Sequence, residues 1–264
     1  MPYGLCTLSI IPLRLQPQHR SEMTSQVLFG ETLEILDQNG PWSLVRLAYD
    51  NYEGWVETRQ IDSISEELYQ DMNQGPTTVS DLSTHAILMK LGRDEMQHLV
   101  PGSTLPVMEE DGLFTIGLTN YMFLGLAKET HTDDFPAGVE EVARFYLNTP
   151  YLWGGRSVFG IDCSGLSQMV FKHFGLVIPR DAHQQASQGK TVDFLQEGQA
   201  GDLAFFDSEE GKITHVGILL NNSEIIHASG KVRVDPIDEN GIFNTDTQSY
   251  SHRLRIIKRM YPMH

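Results

Sequence analysis

The chain has 264 residues, 40% hydrophobic and 20% charged, with 35 acidic against 19 basic side chains and a net charge of -16. So acidic a balance, with no basic patch, excludes binding to a nucleic-acid backbone and argues against adhesion to an anionic membrane or polymer. Two cysteines, Cys6 and Cys163, are too few for a disulfide framework, and no run of 18 apolar residues offers a membrane span. The opening stretch Met1–Pro12 has no basic n-region and no long apolar h-region. A cytoplasmic location is therefore expected, with a periplasmic or extracellular one the alternative if the N-terminus has been trimmed.

Residues 1–65 read as short strands. Leu5 to Leu15 alternates loosely, Gln26–Phe29 runs into Gly30, and Thr32–Leu36 leads to the turn Asn39-Gly40-Pro41. Trp42–Leu47 alternates, Asp50–Gly54 is a second turn, and Trp55-Val56 opens the next strand. Five short strands at this spacing predict a small barrel or sandwich with Trp42 and Trp55 in its core. Residues 66–130 begin with a turn or two of helix at Ser65–Tyr69. They then repeat the β rhythm through Pro101-Gly102, Leu105–Met108, Glu109–Gly112 and Leu113–Gly117. A second, divergent barrel is expected. His85, His98 and His131 are scattered here without metal-ligand spacing.

Residues 131–264 change character. Pro136–Leu147 predicts an amphipathic helix with Val139, Val142, Ala143 and Tyr146 on one face. Leu166, Met169, Val170 and Phe174 recur at intervals of three and four, so a second helix is predicted to pack one face on a core before Gly175 ends it. Ala182–Gly189 reads as a short helix. Strands are predicted at Gly201–Phe206, Thr214–Leu220, Glu224–Ala228 and Arg253–Arg259, with a tight turn at Asn221–Ser223. Helices followed by an antiparallel sheet make an α+β domain.

Asp162 is a natural N-cap, which sets Cys163 in the first turn, where free N–H groups and the helix dipole are expected to favour a thiolate. A buried core cysteine is the alternative. The turn near residue 222 puts position 215 across from 228 or 229, so His215 and His227 emerge at one end of a hairpin. Gly217 is expected to leave room beside His215 for the cysteine helix or a substrate. His227 would fix the tautomer of His215, whose other nitrogen faces the thiol, as in a triad with a neutral third member. A metal site built from Cys163, His215 and His227 competes for the same atoms but lacks a further clear ligand. No cofactor or metal is expected.

Tyr151-Leu-Trp-Gly-Gly155, Asp162-Cys-Ser-Gly165, Gly201-Asp-Leu203, Thr214-His-Val-Gly217 and Ile226-His-Ala228 together resemble the NlpC/P60 family of cell-wall cysteine peptidases, over roughly residues 136–264. Gly30–Leu36, the Trp42 strand and Tyr52–Val56 resemble a bacterial SH3-like domain. The resemblance implies two small all-β SH3-like barrels, 1–65 and 66–130, before an α+β papain-like peptidase domain at 131–264. It implies Cys163 as nucleophile, His215 as general base, His227 as third member and Tyr151 as a hydroxyl donor beside the cysteine. The layout is similar to the γ-D-glutamyl-L-diamino acid endopeptidases of murein peptide recycling. These cut free L-Ala-γ-D-Glu-diamino acid peptides with an unblocked N-terminal alanine. The expected partner is thus a murein-derived tripeptide or tetrapeptide. Its ammonium needs carboxylates or hydroxyls. Candidates are Asp162 and Ser164 beside the nucleophile, Asp181, and Glu22 and Tyr52 of the first barrel, which is expected to close the far end of the cleft. A secreted or periplasmic hydrolase acting on intact peptidoglycan stems is the alternative.

Overall fold

The computed structural model describes residues 2–261. The chain forms two compact units, Met1–Thr130 and His131–His264. The first opens with seven strands: β1 (Tyr3–Leu5), β2 (Ile10–Arg14), β3 (Met23–Leu28), β4 (Thr32–Asn39), β5 (Trp42–Leu47), β6 (Glu53–Glu57) and β7 (Asp62–Ile64). They make one antiparallel sheet in the order β3-β2-β6-β5-β4-β1-β7. Alternate residues point inward, and Ile11, Leu13, Val27, Leu33, Val45 and Val56 form its core. Trp42 is buried; Trp55 is only partly so. Two strands more than expected appear because β1 and β7 are three residues each, too short for alternation to register.

Ser65 caps α1 (Glu66–Asn73) by accepting from the Leu68 amide at 3.2 Å. Seven further strands follow: β8 (Thr78–Ser80), β9 (Ile87–Lys90), β10 (Glu95–His98), β11 (Thr104–Leu105), β12 (Leu113–Ile116), β13 (Thr119–Leu124) and β14 (Ala127–Glu129). They split into a four-stranded sheet, β10-β9-β13-β12, and a three-stranded one, β11-β8-β14. Leu5 of the first sheet and Phe29, just after β3, belong to the same core as Leu88, Phe114, Tyr121 and Phe123. Burial is continuous across residue 65, which is why the first 130 residues form one unit.

The second unit begins with α2 (Phe135–Phe145), then a two-stranded ribbon, β15 (Arg156–Ser157) and β16 (Gly160–Ile161), then α3 (Cys163–Lys172) and α4 (Ala182–Gln185). Its sheet contains β17 (Lys190–Val192), β18 (Leu203–Asp207), β19 (Ile213–Leu219), β20 (Glu224–Ser229), β21 (Lys231–Asp238), β22 (Gly241–Asn244) and β23 (Ser249–Arg259). The order is β17-β23-β18-β19-β20-β21-β22, with β23 also pairing with β22. α3 is buried on every side, against the expectation of a single apolar face. It touches α2, β15, β19 and β20 at once, so no face is left to solvent. Two of its polar side chains donate to nearby carbonyls: Ser167 to that of Cys163 at 3.3 Å, and Gln168 to that of Ile178 at 3.1 Å. Among the described residues no helix is long and apolar enough to cross a membrane.

Candidate active site

The cysteine arrives on the first turn of α3. Asp162 has extended backbone angles and accepts from the Gly165 amide at 2.7 Å, as the N-cap reading requires. Gly165 has no room for a side chain: a Cβ there would stand 2.3 Å from the Gly155 carbonyl, so the Gly154-Gly155 turn lies directly over the start of the helix. That turn adds a second bond to the cap, Gly154 N–H to Asp162 Oδ2 at 2.8 Å. Arg180 completes it. Its guanidinium grips Asp162 in a fork, Nη1 to Oδ1 at 3.0 Å and Nη2 to Oδ2 at 2.6 Å, and Nη1 also donates to Ser164 Oγ at 2.8 Å. Ser164 in turn donates to Asp162 Oδ1 at 3.3 Å.

This network revises the task of two residues. Asp162 receives five hydrogen bonds, from Gly154, Gly165, Ser164 and twice from Arg180, so no lone pair remains for an incoming ammonium. The Ser164 proton is spent on the same carboxylate. Both hold the cysteine turn in shape. In the sequence, Pro179-Arg180-Asp181 marks only a helix start, and nothing there singles out Arg180. A buried arginine needs a carboxylate, and that pairing is legible only in three dimensions. Asp181 forms a capping box with Gln184 at the start of α4 and is half-buried.

Cys163 is 6% exposed and is a free thiol, as is the buried Cys6. The expectation of a lowered pKa does not hold. Burial, and then the Asp162 carboxylate, push the thiol up to about 11, against the opposing pull of the Val216 amide, Arg180 and the Ser164 amide. The helix terminus does act on the sulfur, but desolvation and an adjacent anion outweigh it. The Tyr151 phenol is pushed up to about 12 by burial, then by Cys163 and Asp162 nearby. It therefore stays protonated at neutral pH.

The histidines come from the sheet. β19 and β20 pair with Gly217 across from His227 and Ile218 across from Ile226, which extrapolates to position 215 facing 229. His215 and His227 are thus diagonal neighbours on one face, with His215 Nε2 2.9 Å from His227 Nδ1. Gly217 matters here, but for a different neighbour than expected. A Cβ at 217 would meet the Ile225 side chain at 2.6 Å and His227 Cβ at 3.0 Å, so the space belongs to the partner strand, not to α3 or a substrate. The Val216 amide bonds to the Cys163 sulfur, so the thiol lies against the strand that carries His215. Burial, then His252 and His227, hold the His215 imidazole well below its usual pKa.

Two further residues complete this side. Asp235 Oδ2 stands 3.1 Å from His227 Nε2, and both side chains are fully buried. His252, on β23, stacks on the His215 ring with centroids 4.1 Å apart. Burial, then His227, push His252 down to about 4. Neither was anticipated, because β21 and the first half of β23 were not predicted. Lys231-Val-Arg-Val-Asp does alternate after Gly230, and that is the signal that was available, but Pro236 speaks against a strand. Here Pro236 sits near the end of β21, across from Glu224 at the beginning of β20.

Nitrogen atoms of His215, His227 and His252 lie within 4.8 Å of one another, a grouping that invites a metal. The geometry assigns them otherwise. His215 and His227 are bonded to each other, the remaining His227 nitrogen faces Asp235, and the His215 and His252 rings stack instead of converging. Glu22 and Tyr52 belong to the first unit. Glu22 is exposed just before β3, and Tyr52 packs on the core just before β6. Arg14 pairs with Met23 on one side and Trp55 on the other, so both residues lie at the same end of β2.

Comparison with known proteins identifies the family. The family model described as NlpC/P60 family matches residues 148–250, and that described as bacterial dipeptidyl-peptidase Sh3 domain matches residues 13–61. The gamma-D-glutamyl-L-lysine dipeptidyl-peptidase of Bacillus subtilis (strain 168) is 32% identical over 239 residues, 85% of this chain and 74% of that protein. The bifunctional muramidase/DL-endopeptidase CwlT of the same organism is 41% identical over 99 residues, 36% of this chain and 30% of that protein. A crystal structure of an NlpC/P60 family protein from Bacillus cereus ATCC 10987 shares the fold, with a TM-score of 0.79 at 21% identity over 98% of this chain and 100% of that one. An SH3-like domain thus precedes a mixed α/β catalytic domain, and the chain belongs to the NlpC/P60 family of cysteine peptidases.

Proposed function

We propose that this peptidase hydrolyses the γ-D-glutamyl–diamino acid bond of free murein tripeptides and tetrapeptides that begin with an unblocked L-alanine. The observation that carries the reading is the extent of the likeness. Similarity to the gamma-D-glutamyl-L-lysine dipeptidyl-peptidase runs through 85% of the chain, whereas similarity to the muramidase/DL-endopeptidase stops at 36%. The matched SH3 model is likewise that of dipeptidyl-peptidases. In this reading residues 66–130 are a second, divergent SH3-like domain, the catalytic domain is papain-like, and the enzyme works in the cytoplasm, where free peptides would reach it.

Cys163 Sγ attacks the γ-carbonyl carbon of D-glutamate while its proton passes to His215 Nδ1. First-turn amides of α3 and the Tyr151 hydroxyl hold the oxyanion. The C–N bond breaks as His215 returns the proton to the departing amine. Water then attacks the thioester, again through His215, and releases the L-Ala-γ-D-Glu dipeptide. The raised thiol and lowered imidazole favour a resting pair that is neutral, with proton transfer coupled to attack.

The test compares kcat/KM on free and N-acetylated L-Ala-γ-D-Glu-L-Lys. The acetylated peptide is expected to be cut at least ~10²-fold more slowly, because an ammonium site is left holding an unpaired carboxylate. Glu22→Gln, Tyr52→Phe and Asp181→Asn, measured as KM on the free peptide, identify which side chain meets the amine. Equal rates on both peptides, or release of fragments from intact sacculi, would refute the requirement for a free amine and favour a wall hydrolase.

A further inference from the structure

The step from His215 to His227 is repeated once more across the sheet. β20 pairs with β21 so that His227 faces Arg233, and Asp235 lies two residues on, diagonal to His227 on the same face. His227 Nε2 is 3.1 Å from Asp235 Oδ2, and that carboxylate is 1% exposed. Its other oxygen is clamped. Oδ1 accepts from Arg233 Nη2 at 2.8 Å, from Thr245 Oγ1 at 3.2 Å and from the Thr245 amide at 3.4 Å, and Arg233 Nε stands 2.6 Å from Oδ2. Arg233 is itself held by Asp246 at 2.6 Å.

A carboxylate in this setting only accepts hydrogen bonds. His227 must therefore carry its proton on Nε2, which leaves Nδ1 with a lone pair. That lone pair faces His215 Nε2 at 2.9 Å, so His215 must be the donor there and bear its proton on Nε2. His215 Nδ1 is then unprotonated. We propose that Asp235, clamped by Arg233 and Thr245, is a positioning residue that sets the tautomers of both imidazoles and so delivers a basic His215 Nδ1 to the Cys163 thiol. This rests on the reading of Cys163 as nucleophile and His215 as base. The site is a four-member line, and the third member is not terminal.

Nitrogen-15 spectra of histidine-labelled protein at neutral pH test the assignment without any substrate. Both His215 and His227 are expected to show protonated Nε2 and unprotonated Nδ1. The Nδ1–H tautomer at His215 would overturn the proposal. Asp235→Asn gives the functional arm. Three donors converge on Oδ1, so the asparagine carbonyl should settle there and turn its NH₂ toward His227 Nε2, inverting both tautomers. Expected is a fall in kcat of ~10²–10³ on free L-Ala-γ-D-Glu-L-Lys with KM changed by less than about twofold, by analogy with the orienting carboxylate of serine peptidases. Made on top of His227→Ala, the same change should cost no more than about threefold, because Asp235 acts through His227. Independent losses in the double variant, or a near-normal kcat in the single one, would overturn it. If the peptide is not a substrate, the rate of Cys163 alkylation by iodoacetamide in the two variants replaces kcat, so failure of the substrate reading remains distinct from failure of this one.

Discussion

The two halves of the site use the same device to opposite ends. On the cysteine side a buried carboxylate, Asp162, is gripped by a buried arginine, Arg180. On the histidine side another buried carboxylate, Asp235, is gripped by Arg233. Asp162 is the residue next to Cys163, and its charge helps to push the thiol up to about 11. Asp235 is two imidazoles away from His215 and reaches it only through hydrogen bonds. Burial would by itself raise the Asp235 carboxyl, but bonds from His227, Arg233 and Thr245 hold it down at about 2, so it is ionised whenever the enzyme works. The difference is one of distance and direction. An anion beside an acid suppresses its ionisation, whereas an anion at the end of a hydrogen-bonded line orients a base. A raised thiol and a lowered imidazole favour the neutral form of both groups at neutral pH.

The sharpest break of this comparison is at the sulfur. Cys163→Ala is expected to abolish turnover, by ~10⁴-fold or more, as loss of a covalent nucleophile does elsewhere. Circular dichroism and melting temperature should be unchanged, because the alanine fits where the thiol was. Activity near that of the parent would remove Cys163 from the mechanism. Next is the orienting side. His227→Ala should lower kcat by ~10²–10³ and leave KM nearly constant, because tautomer and geometry are lost but substrate contacts are not; in trypsin the corresponding carboxylate is worth ~10⁴. A change in KM alone would place His227 in contact with substrate instead.

The cysteine-side clamp separates stability from chemistry. Arg180→Ala leaves Asp162 buried with its charge uncompensated, a loss that typically costs about 3–5 kcal/mol. Denaturant melts should show this directly, and a midpoint unchanged from wild type would mean that Asp162 finds solvent or another donor. The smallest effect expected is kinetic and concerns pH. Because the free thiol titrates near 11 and not at its usual value of 9.0, iodoacetamide alkylation of the resting enzyme should be slow at neutral pH and still rising above pH 9. A plateau below pH 8 would reveal a preformed thiolate and contradict the neutral resting pair. Folding stability should depend on pH as well, in the acid range. His215 and His252 are held below their unfolded pKa of 6.5, so the unfolded chain binds protons first and stability falls as pH drops from 6.5 toward 4.

Much of the candidate site was legible in the chain. The N-cap aspartate followed by a cysteine, and two histidines about a tight turn, are local patterns whose spacing translates directly into position. Their outcome, Asp162 bonded to Gly165 and His215 beside His227, follows from helix and hairpin geometry alone. Arg180, Asp235 and His252 were not legible. Each reaches the site from a segment distant in sequence or lying in an unrecognised strand, and each is an ordinary polar residue until its partner is known. The thiol pKa departs from the helix-start expectation for a related reason. A helix start can be read from a motif, but the degree of burial cannot, and for Cys163 burial is the larger effect.

The sequence by itself therefore determined the family and the order of its SH3-like and NlpC/P60 domains, and it marked the candidate side chains, because these depend on short-range periodicity and motif spacing. Tertiary structure alone decided three other matters: that α3 is enclosed on all sides, that Asp162 and Ser164 are committed to Arg180, and that the histidine pair ends in a clamped carboxylate. These depend on desolvation and on which lone pairs are already occupied. Both are sums over neighbours that only the folded chain brings together.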